Sequence, residues 1–378
     1  MKLETFSYDG EWTVDRFPAL DSPDTLVIAF CARSFDERHH VLAELIDSYP
    51  TSCIVGCSTS GEIHARSLRD ESISVAVARF ERARVRLAAG PVEGLADSFR
   101  AGQALATELA GDELRAVFVL SDGLHVNGSE LARGLGSGLA DDVVVTGGLA
   151  GDGDRFERTW VLVDGRPTSG WITAVGLYGE RLAVGHGSRG GWDIFGPQRV
   201  VTRSEGSVLY ELDDRPALTL YKEYLGELAE GLPATGLLFP LLVEFGDRPE
   251  ESVVRTILSV DERAGSLTYA GDIPRGALAQ LMRANFDRLI DGASDAGSVA
   301  AVEGVHGDTL AIDISCVGRR LVLGERSEEE IEAVADGPLG SAHHLGFYSY
   351  GELSPLAGGA CDLHNQTMTV TTLGERDG

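Results

Sequence analysis

The chain has 378 residues, of which 43% are hydrophobic and 24% are charged, and this composition excludes a wholly disordered chain. At about 150 residues per domain, the length predicts two domains. The 32 basic and 59 acidic residues give a net charge of −27, so neither nucleic acid nor an anionic membrane surface is an expected partner. A GC-rich coding bias and a salt-adapted surface both remain open as the origin of this acidity.

The sequence offers no membrane-spanning or secretory segment. No run of about 18 apolar residues occurs, and the N-terminal residues 1–17 carry charges where a signal peptide is apolar. The five cysteines include no CxxC pair, so reduced thiols are expected rather than disulfides or a zinc ribbon. We therefore expect a cytoplasmic protein with no membrane association.

The first half alternates short apolar runs with turn residues, which predicts strands and helices in mixed order. The predicted helices are 41–49, 98–111 with Ser98 as a possible N-cap, and 128–139. The predicted strands are 24–30, 51–58, 73–80, 83–91, 116–123, 142–153, 159–165, 170–179 and 180–188. Strands 73–80 and 83–91 are separated by a short turn and are predicted to form an antiparallel hairpin.

The second half predicts more hairpins and longer helices. Hairpins are expected at 199–218 and 252–274, and a buried strand at 309–324. The predicted helices are 216–229 opened by Pro216, 276–300, and 327–340 opened by a capping box of Ser327 and Glu330. The acidic run 328–330 is interpreted as a solvated helix start.

These elements predict an α+β fold of layered mixed or antiparallel sheets with helices on the outer faces. Two closely packed domains are expected, 1–195 and 196–378, with the boundary between 195 and 222. No fixed-period repeat is found, although both halves combine hairpins with helices.

The stretch GCSTSGEI (56–63) is the most unusual candidate for a binding site. Its small residues allow a backbone to approach a ligand closely, and its hydroxyls can donate hydrogen bonds. Its spacing fits neither a GxSxG nucleophile elbow nor a phosphate-binding Walker loop. A ligand-lining loop, a tight turn with hydroxyl caps and a Cys57 nucleophile are the three readings of this stretch.

Two further polar corners follow strands, SDGLHVNGSE (121–130) and GGLAGDG (147–153). Because strand ends tend to line clefts, the three corners could converge on one pocket. An arginine at a strand mouth, Arg319 or Arg320, could clamp a ligand carboxylate or form a salt bridge. The predicted ligand-binding residues are Cys57, Ser58, Thr59, Ser60, Asn127, Asp152 and Arg319.

The histidines form neither HxxxH nor HExxH, so a zinc protease is unsupported. His186 lies among small residues with Trp192 and Phe195 close behind it, and His364, in CDLHNQTM, is predicted at the start of a strand. A single histidine in an apolar pocket can hold a haem iron. His186 is the first candidate for that metal ligand, followed by His364 and His125.

In order along the chain, these segments resemble the FIST family, a two-part sensory module. The resemblance covers most of the chain and rests on IVGCSTSGEI (54–63), VLSDGL (119–124), NGSEL (127–131), GGLAGDG (147–153), the bridging stretch 191–226, FPLLVEF (239–245), VVRTI (253–257), GDIPRGALAQLM (271–282), ISCVGRR (314–320), GFYSYGELSP (346–355) and LHNQTMTV (363–370). Residues 1–195 would then be a FIST N-like ligand-sensing domain and residues 196–378 a FIST C-like domain.

The resemblance implies a cytoplasmic ligand sensor that acts on a separate signalling protein, such as a histidine kinase in a two-component system or a cyclic-di-GMP enzyme. One branch, similar to NosP-type proteins, binds haem and senses nitric oxide, and this is the preferred prediction. The alternative is a haem-free module for a small metabolite such as an amino acid. An enzyme is not expected, because no general base is placed near Cys57. A purely structural interaction protein is the fourth hypothesis, and a homodimer is compatible with all four.

Overall fold

The helices and strands are those of a computed structural model that describes residues 1–245, 248–305 and 307–376. Over this part of the chain the seven α-helices are α1 (His39–Asp47), α2 (Ser98–Leu109), α3 (Gly128–Gly136), α4 (Ala217–Leu225), α5 (Phe286–Ala300), α6 (Val317–Leu323) and α7 (Ser327–Ala335). Short 3₁₀ helices are Arg33–Asp36, Leu95–Asp97, Gly226–Gly231, Ala234–Leu238 and Gly324–Arg326.

The strands form four sheets. In chain order they are β1 (Lys2–Tyr8), β2 (Thr25–Ala32), β3 (Cys53–Thr59), β4 (Glu62–His64), β5 (Ser67–Arg69), β6 (Ile73–Arg79), β7 (Arg84–Pro91), β8 (Leu114–Ser121), β9 (Val144–Leu149), β10 (Val161–Val163), β11 (Arg166–Thr168), β12 (Trp171–Tyr178), β13 (Leu182–Arg189), β14 (Asp193–Ile194), β15 (Arg199–Glu205), β16 (Val208–Leu212), β17 (Arg215–Pro216), β18 (Leu241–Phe245), β19 (Arg248–Arg255), β20 (Ile257–Asp261), β21 (Ser266–Tyr269), β22 (Leu278–Arg283), β23 (Leu310–Cys316), β24 (His343–Ser349), β25 (Gly351–Pro355), β26 (Cys361–His364) and β27 (Met368–Glu375).

Three of the sheets have six strands each in the same arrangement, and we call these three sheets together the threefold core. Their strand orders are β1-β6-β2-β3-β10-β11, β7-β12-β8-β9-β25-β26 and β13-β27-β23-β24-β4-β5. In each sheet the central pair is parallel (β2 with β3, β8 with β9, β23 with β24) and is joined through helices. The strand next to each pair runs antiparallel to it. The chain therefore repeats one structural unit three times.

The three units exchange hairpins in a closed cycle. Hairpin β4–β5 of the first unit extends the third sheet, β10–β11 of the second extends the first sheet, and β25–β26 of the third extends the second sheet. Three backbone hydrogen bonds close the same cycle at the sheet ends, from Ser60 N to Tyr348 O (2.8 Å), Gly151 N to Ser58 O (2.9 Å) and Tyr350 N to Leu149 O (3.1 Å). Each unit is thus bonded to both others.

The main hydrophobic core lies between the three sheets. Because side chains alternate between the faces of a strand, every second residue of the three central strands points into it. These residues are Leu26, Ile28 and Phe30 of β2, Ala116, Phe118 and Leu120 of β8, and Leu310, Ile312 and Ile314 of β23. The rings of Phe30 and Phe347 pack with their centroids 4.5 Å apart.

The fourth sheet belongs to residues 193–283, which we call the inserted region because they separate β13 from the rest of the third unit. Its order is β19-β18-β22-β15-β16-β21-β20, with β14 pairing with β22 and β17 with β16. Helix α4 packs on this sheet and forms a separate hydrophobic cluster with it. The inserted region lies over one end of the threefold core, and this places the cavities described below.

The predicted fold class is confirmed, but two predicted elements are wrong. Strands β6 and β7 do not pair with each other, because β6 joins the first sheet and β7 pairs with β12 in the second. The predicted helix 276–300 is a strand over Leu278–Arg283 followed by α5. Residues 278–283 pair with β18 and β15, and this pairing overrides their helical propensity.

Two other expectations for the third unit are corrected. The predicted strand 309–324 ends at Cys316 and continues as α6, so both arginines lie on a helix. Ser327 forms no capping bond, and Arg326 occupies the N-cap position of α7. Glu330 is not solvated but fully buried, because it forms an ion pair with Arg319 (2.7 Å).

The division into domains 1–195 and 196–378 stays a prediction. Two sheets contain strands from both sides of it, since β24 pairs with β4 and β25 pairs with β9. Over the described ranges, none of the helices has the length and apolar character needed to cross a membrane.

Candidate functional site

Three loops at the ends of β3, β9 and β24 meet where the inserted region covers the threefold core. We call them the first corner (56–62), the second corner (147–153) and the third corner (346–352). The cyclic hydrogen bonds described above join them directly. Side chains from these corners therefore lie close together despite their separation in sequence.

The first corner carries a buried carboxyl in a cage of hydroxyls. The Thr59 hydroxyl donates to Glu62 Oε1, and both the amide and the hydroxyl of Ser72 donate to Glu62 Oε2 (3.0 and 2.8 Å). Burial raises the pKa of Glu62 to about 7, although these hydrogen bonds favour the charged form. The carboxyl is thus held near its titration point at neutral pH.

The third corner repeats this arrangement. The Ser349 hydroxyl donates to Glu352 Oε1 (2.7 Å), and the amide and hydroxyl of Thr367 donate to Glu352 Oε2 (3.3 and 2.8 Å). Burial raises the pKa of Glu352 to about 8. The two corners share the spacing of a glycine followed five and six residues later by Gly-Glu, as in Gly56–Glu62 and Gly346–Glu352.

The second corner ends in Asp152, which organises the loop after it. Its carboxylate accepts the backbone amides of residues 156–158 (2.9–3.0 Å) and the hydroxyl of Tyr350. Burial opposes its charge, but these hydrogen bonds outweigh burial and lower the pKa of Asp152. The loop places the ring of Phe156 on that of Tyr350, with centroids 4.5 Å apart and an interplanar angle of 15°.

An apolar cavity of about 500 Å³ opens between the threefold core and the inserted region, and we call it the apolar cleft. The core contributes Asp154, Phe156, Cys316, Val317, Gly318, Leu321, Tyr350 and Asn365. The inserted region contributes Gly231, Leu232, Pro233, Ala234, Leu237, Thr256, Ile257, Leu258 and Ala270. This volume is typical of small-molecule sites.

Two smaller cavities adjoin the apolar cleft. The first, of about 360 Å³, is lined by the first corner and Arg320 and shares Asp154, Val317 and Leu321 with the cleft. We call it the corner cavity. The second, of about 260 Å³, is lined by residues 123–124 and 126–128 and by Tyr269, and it shares Phe156, Leu258, Ala270 and Tyr350 with the cleft. We call it the cap cavity, because Asn127 caps helix α3 there.

Three of the predicted ligand residues line these adjoining cavities. Thr59 and Ser60 line the corner cavity, and Asn127 lines the cap cavity. Asn127 also accepts the amides of Ser129 and Glu130 (3.1 and 3.2 Å), so part of its role is local. The three segments predicted from the sequence, 56–63, 121–130 and 147–153, thus contribute residues to neighbouring cavities that each share lining residues with the apolar cleft.

The other predicted ligand residues lie behind this surface. Cys57 and Ser58 are fully buried, Cys57 within the main core. Asp152 is likewise buried and holds the second corner. Arg319 is fully buried and donates to Glu330, to Gly190 O (2.5 Å) and to Leu289 O (2.8 Å). Holding a ligand carboxylate would require Arg319 to give up one of these contacts.

The three candidate histidines occupy two places. His125 is largely exposed and its Nδ1 lies 3.0 Å from Asp122 Oδ1. His186 of β13 and His364, which lies at the end of β26 rather than at a strand start, line a common cavity of about 390 Å³. We call it the histidine cavity. It is separate from the apolar cleft, since none of its described lining residues is shared with the cleft.

Several residues of the apolar cleft were missed at the sequence level. Asn365, Thr256, Tyr350 and Phe156 lie in four different elements or loops, so no local spacing connects them. One signal was present, because Asn365 belongs to the polar run HNQT between two apolar strands. Such a run inside an otherwise buried segment indicates polar side chains with a structural or binding role.

The thiols of the site have little nucleophilic character. Burial raises the pKa of Cys57 and of Cys316 well above the ordinary thiol value, so both are protonated at neutral pH. Among the residues that the structure describes, no cluster of three or more His, Cys, Asp or Glu side chains is arranged to hold a metal ion. The arrangement suits non-covalent binding of a small molecule.

Comparisons with known proteins agree with this architecture at the family level. A cyanuric acid hydrolase of A. caulinodans is 9% identical, with a TM-score of 0.36 over 93% of this chain and 90% of that chain, a similarity too low to carry a functional argument. No curated protein matches the sequence. The FIST N domain model matches residues 25–215 and the FIST C domain model matches residues 217–355. FIST domains are signal-transduction sensor domains that bind small ligands. The chain belongs to the FIST family.

Proposed function

We propose that the chain is a cytoplasmic, non-enzymatic sensor whose small ligand binds in the apolar cleft and which acts on a separate signalling protein. One observation carries this proposal: the cleft is walled on one side by the threefold core and on the other by the inserted region. A ligand bound there contacts both regions at once. It can therefore stabilise one of their relative arrangements, provided that it binds that arrangement more tightly.

The mouth of the cleft supports ligand entry from solvent. Phe156, Leu258 and Leu321 line the cleft, and their side chains are 48%, 48% and 44% exposed. Large exposed apolar side chains grouped at a cavity mouth commonly mark a ligand or partner site. The separate partner, a histidine kinase or a cyclic-di-GMP enzyme, is the same proposal that the family resemblance suggested.

The proposal is tested by ligand-dependent thermal unfolding of the purified chain and of a cleft-filling variant, Leu321→Trp. A binding metabolite raises the Tm of the wild type, because it binds only the folded state. We expect Leu321→Trp to lose this rise. The matched control is Leu87→Trp, on the outer strand β7 and 36% exposed, which should keep it. Equal rises in both variants would place the ligand elsewhere.

Haem-based nitric oxide sensing is the second candidate function, favoured by the shared position of His186 and His364 on the histidine cavity. Burial lowers the pKa of both imidazoles, so both are neutral at pH 7. Since Ser354 O can only accept, His364 Nε2 (3.0 Å away) carries the proton and Nδ1 keeps its lone pair. A neutral imidazole of this kind suits an iron ion.

The walls of the histidine cavity suit a porphyrin less well. Apart from the two histidines, its described lining consists of Gly, Ser, Thr, Arg and aliphatic residues, without an aromatic ring. An absorption spectrum of protein produced with added haem separates the two proposals. A Soret band that moves with nitric oxide and is lost in His186→Ala or His364→Ala, but not in His125→Ala, would favour haem. A protein without a Soret band leaves the apolar cleft as the sensory site.

A further inference from the structure

Two buried polar side chains of the apolar cleft form no hydrogen bond with the residues that the structure describes. Asn365 is 1% exposed, and neither its Nδ2 nor its Oδ1 forms a hydrogen bond within the described ranges of the chain. Thr256, on the opposite wall, is 5% exposed, and its Oγ1 likewise forms no hydrogen bond with the described residues. A buried amide without hydrogen bonds is costly, and such groups are rare in folded proteins. Both side chains line the cleft, so a ligand is in position to satisfy them.

The backbone around Asn365 is fixed by contacts on both sides. Gln366 O accepts from the indole of Trp192 (2.8 Å), and the side chain of Thr367 donates to Glu352. His364 is held by Ser354 O. The amide of Asn365 is therefore presented by a rigid support, and its open hydrogen-bonding positions do not result from a loose loop.

The cleft lacks groups that would hold a charged ligand. Of its described lining residues, Asp154 is the only acidic one, and it is exposed to solvent. No described lining residue is a lysine, arginine or histidine. A ligand carboxylate would lose its hydration without gaining a cationic partner, at high cost.

The apolar side chains on the two sides of the cleft favour a ligand with a flat apolar ring. The stacked rings of Phe156 and Tyr350 form one side, and aliphatic side chains such as Leu237 and Ile257 form the other. Cys316 contributes a protonated thiol, which acts as a small apolar group. An aromatic or alicyclic ring fits these surroundings better than a zwitterion.

We infer that the ligand of the apolar cleft is a neutral molecule with a ring body and a secondary cis-amide edge, which pairs with the side chain of Asn365. The N–H of such an edge donates to Asn365 Oδ1, and its carbonyl accepts from Asn365 Nδ2. Thr256 is available to a further polar atom of the ligand. This inference rests on the proposed function, since it names the chemical class for the same cleft.

Displacement of a neutral apolar dye, N-phenyl-1-naphthylamine, tests this class. The competitors are 3,4-dihydroquinolin-2-one, which has a ring body and a cis-amide edge, and its N-methyl derivative, which lacks the donor. Phenylalanine and 3-phenylpropanoate provide a charged amino acid and a carboxylate of similar carbon skeleton. We expect the lactam to displace the dye at a concentration about tenfold or more below that of the N-methyl derivative, the usual order for lost hydrogen bonds.

Variants test which side chains cause the preference for the lactam over its N-methyl derivative. Asn365→Leu should lose the preference for the lactam over its N-methyl derivative and show a higher Tm, because a buried unsatisfied amide is removed. Asn365→Ala is the second variant, with the same expected loss, if Asn365→Leu does not fold; Thr256→Val should keep the preference, because the lactam has no further polar atom. The matched control is Ser188→Ala, which removes an equally unsatisfied buried hydroxyl that lines the histidine cavity, and it should keep the preference.

The outcomes separate this inference from the proposed function. Equal displacement by the lactam and its N-methyl derivative, or stronger displacement by phenylalanine or 3-phenylpropanoate, would overturn the cis-amide class and leave the sensor proposal standing. Retained discrimination in Asn365→Leu would also overturn it. A chain that binds neither the dye nor any competitor would refute the proposed function, and the ligand class with it.

Discussion

The first and third corners have the same framework but face different surroundings. In both, a hydroxyl three residues before a buried glutamate donates to one carboxyl oxygen, and a serine or threonine donates twice to the other. Beyond this framework, the first corner has Cys57, Ser58 and Ser60 where the third has Phe347, Tyr348 and Tyr350. The first corner opens to the corner cavity, which contains charged side chains, and the third to the apolar cleft.

This difference shows how one unit can be repeated while its chemistry changes. The carboxyl cage and the cyclic backbone bonds fix the geometry of a corner, so the side chains between them are free to vary. Small hydroxyl residues produce a polar cavity, and aromatic residues produce an apolar one. Four predictions test whether the shared framework or the variable side chains determine the properties of each corner.

The largest effect is expected at the glycine that begins each corner. A Cβ at Gly346 would collide with the carbonyl of its strand partner Asp313, and one at Gly56 with that of Ala29. Because backbone cannot yield as a side chain can, Gly346→Ala and Gly56→Ala should each lower the free energy of unfolding by about 3 kcal/mol or more. Urea denaturation measures this loss.

The control for these variants is Gly136→Ala, at the end of α3, where an added Cβ meets no atom within 4 Å. It should stabilise the protein by about 0.5–1 kcal/mol, as expected for a helical glycine. If one corner tolerates alanine and the other does not, the two frameworks are not equivalent.

The next effect concerns pH. Glu62 and Glu352 bind their protons more tightly when folded, with pKa values raised from 4.5 to about 7 and about 8. At these two groups the folded chain therefore holds more protons than the unfolded chain above pH 4.5, and their contribution to the free energy of unfolding falls as pH rises towards 8. Below pH 7 the lowered pKa values of His186 and His364 oppose this trend. For Glu352 the fall is on the order of a few kcal/mol.

Glutamine variants measure this contribution by urea denaturation between pH 4.5 and 8.5. Glu352→Gln should flatten the profile most, Glu62→Gln less, and the exposed Glu332→Gln should leave it unchanged. A Glu352→Gln profile as steep as that of the wild type would show that the folded cage holds a carboxylate rather than a protonated carboxyl.

A smaller effect is expected where both corners hold the second corner. The Tyr350 hydroxyl donates to Asp152 and contacts Gly153 O (3.0 Å), whereas the Ser60 hydroxyl accepts from Gly153 N (3.0 Å). Tyr350→Phe should cost about 1–3 kcal/mol and Ser60→Ala about 1 kcal/mol, since a hydrogen bond to a charged group is worth more. Chemical denaturation compares the two, and a larger cost for Ser60→Ala would reverse this ranking.

The smallest effect is an expected lack of reaction. Cys57 in the first corner and Cys316 beside the third are buried and protonated, so a maleimide reagent should label neither at pH 7 in the folded protein. Labelling in urea, where all five cysteines react, is the control. Rapid labelling of native Cys57, detected by mass spectrometry of its peptide, would support a Cys57 nucleophile instead.

The sequence predicted the types of most elements, because hydrophobic periodicity is a local signal. The parallel strands β2 and β3 and helix α2 lie close to their predicted positions. Strand pairing is not local, and the expected hairpin of β6 and β7 failed because each strand finds its partners in a different sheet. The threefold repeat was missed for the same reason, since only the first and third corners keep the Gly-x₄-Gly-Glu spacing.

The candidate site could be predicted only in part. Thr59 and Ser60 were found because clustered small and hydroxyl residues are unusual in sequence. Asn365 and Thr256 were not, because each is ordinary in its own segment and only the fold places them on one cavity. Arg319 was proposed from its position after a strand, and its burial against Glu330 depends on α7, which no local pattern places.

The closed cycle of the three units has a consequence for synthesis on the ribosome. The bond from Ser60 to Tyr348 and the pairing of β4 with β24 join the first unit to a strand that is synthesised much later. Hairpin β4–β5 of the first unit therefore cannot pair with β24 until the third unit has been synthesised. Contacts of such long range slow folding and leave strand edges exposed in the meantime. In the nascent chain, the edge of hairpin β4–β5 consequently stays unpaired until β24 has left the ribosome.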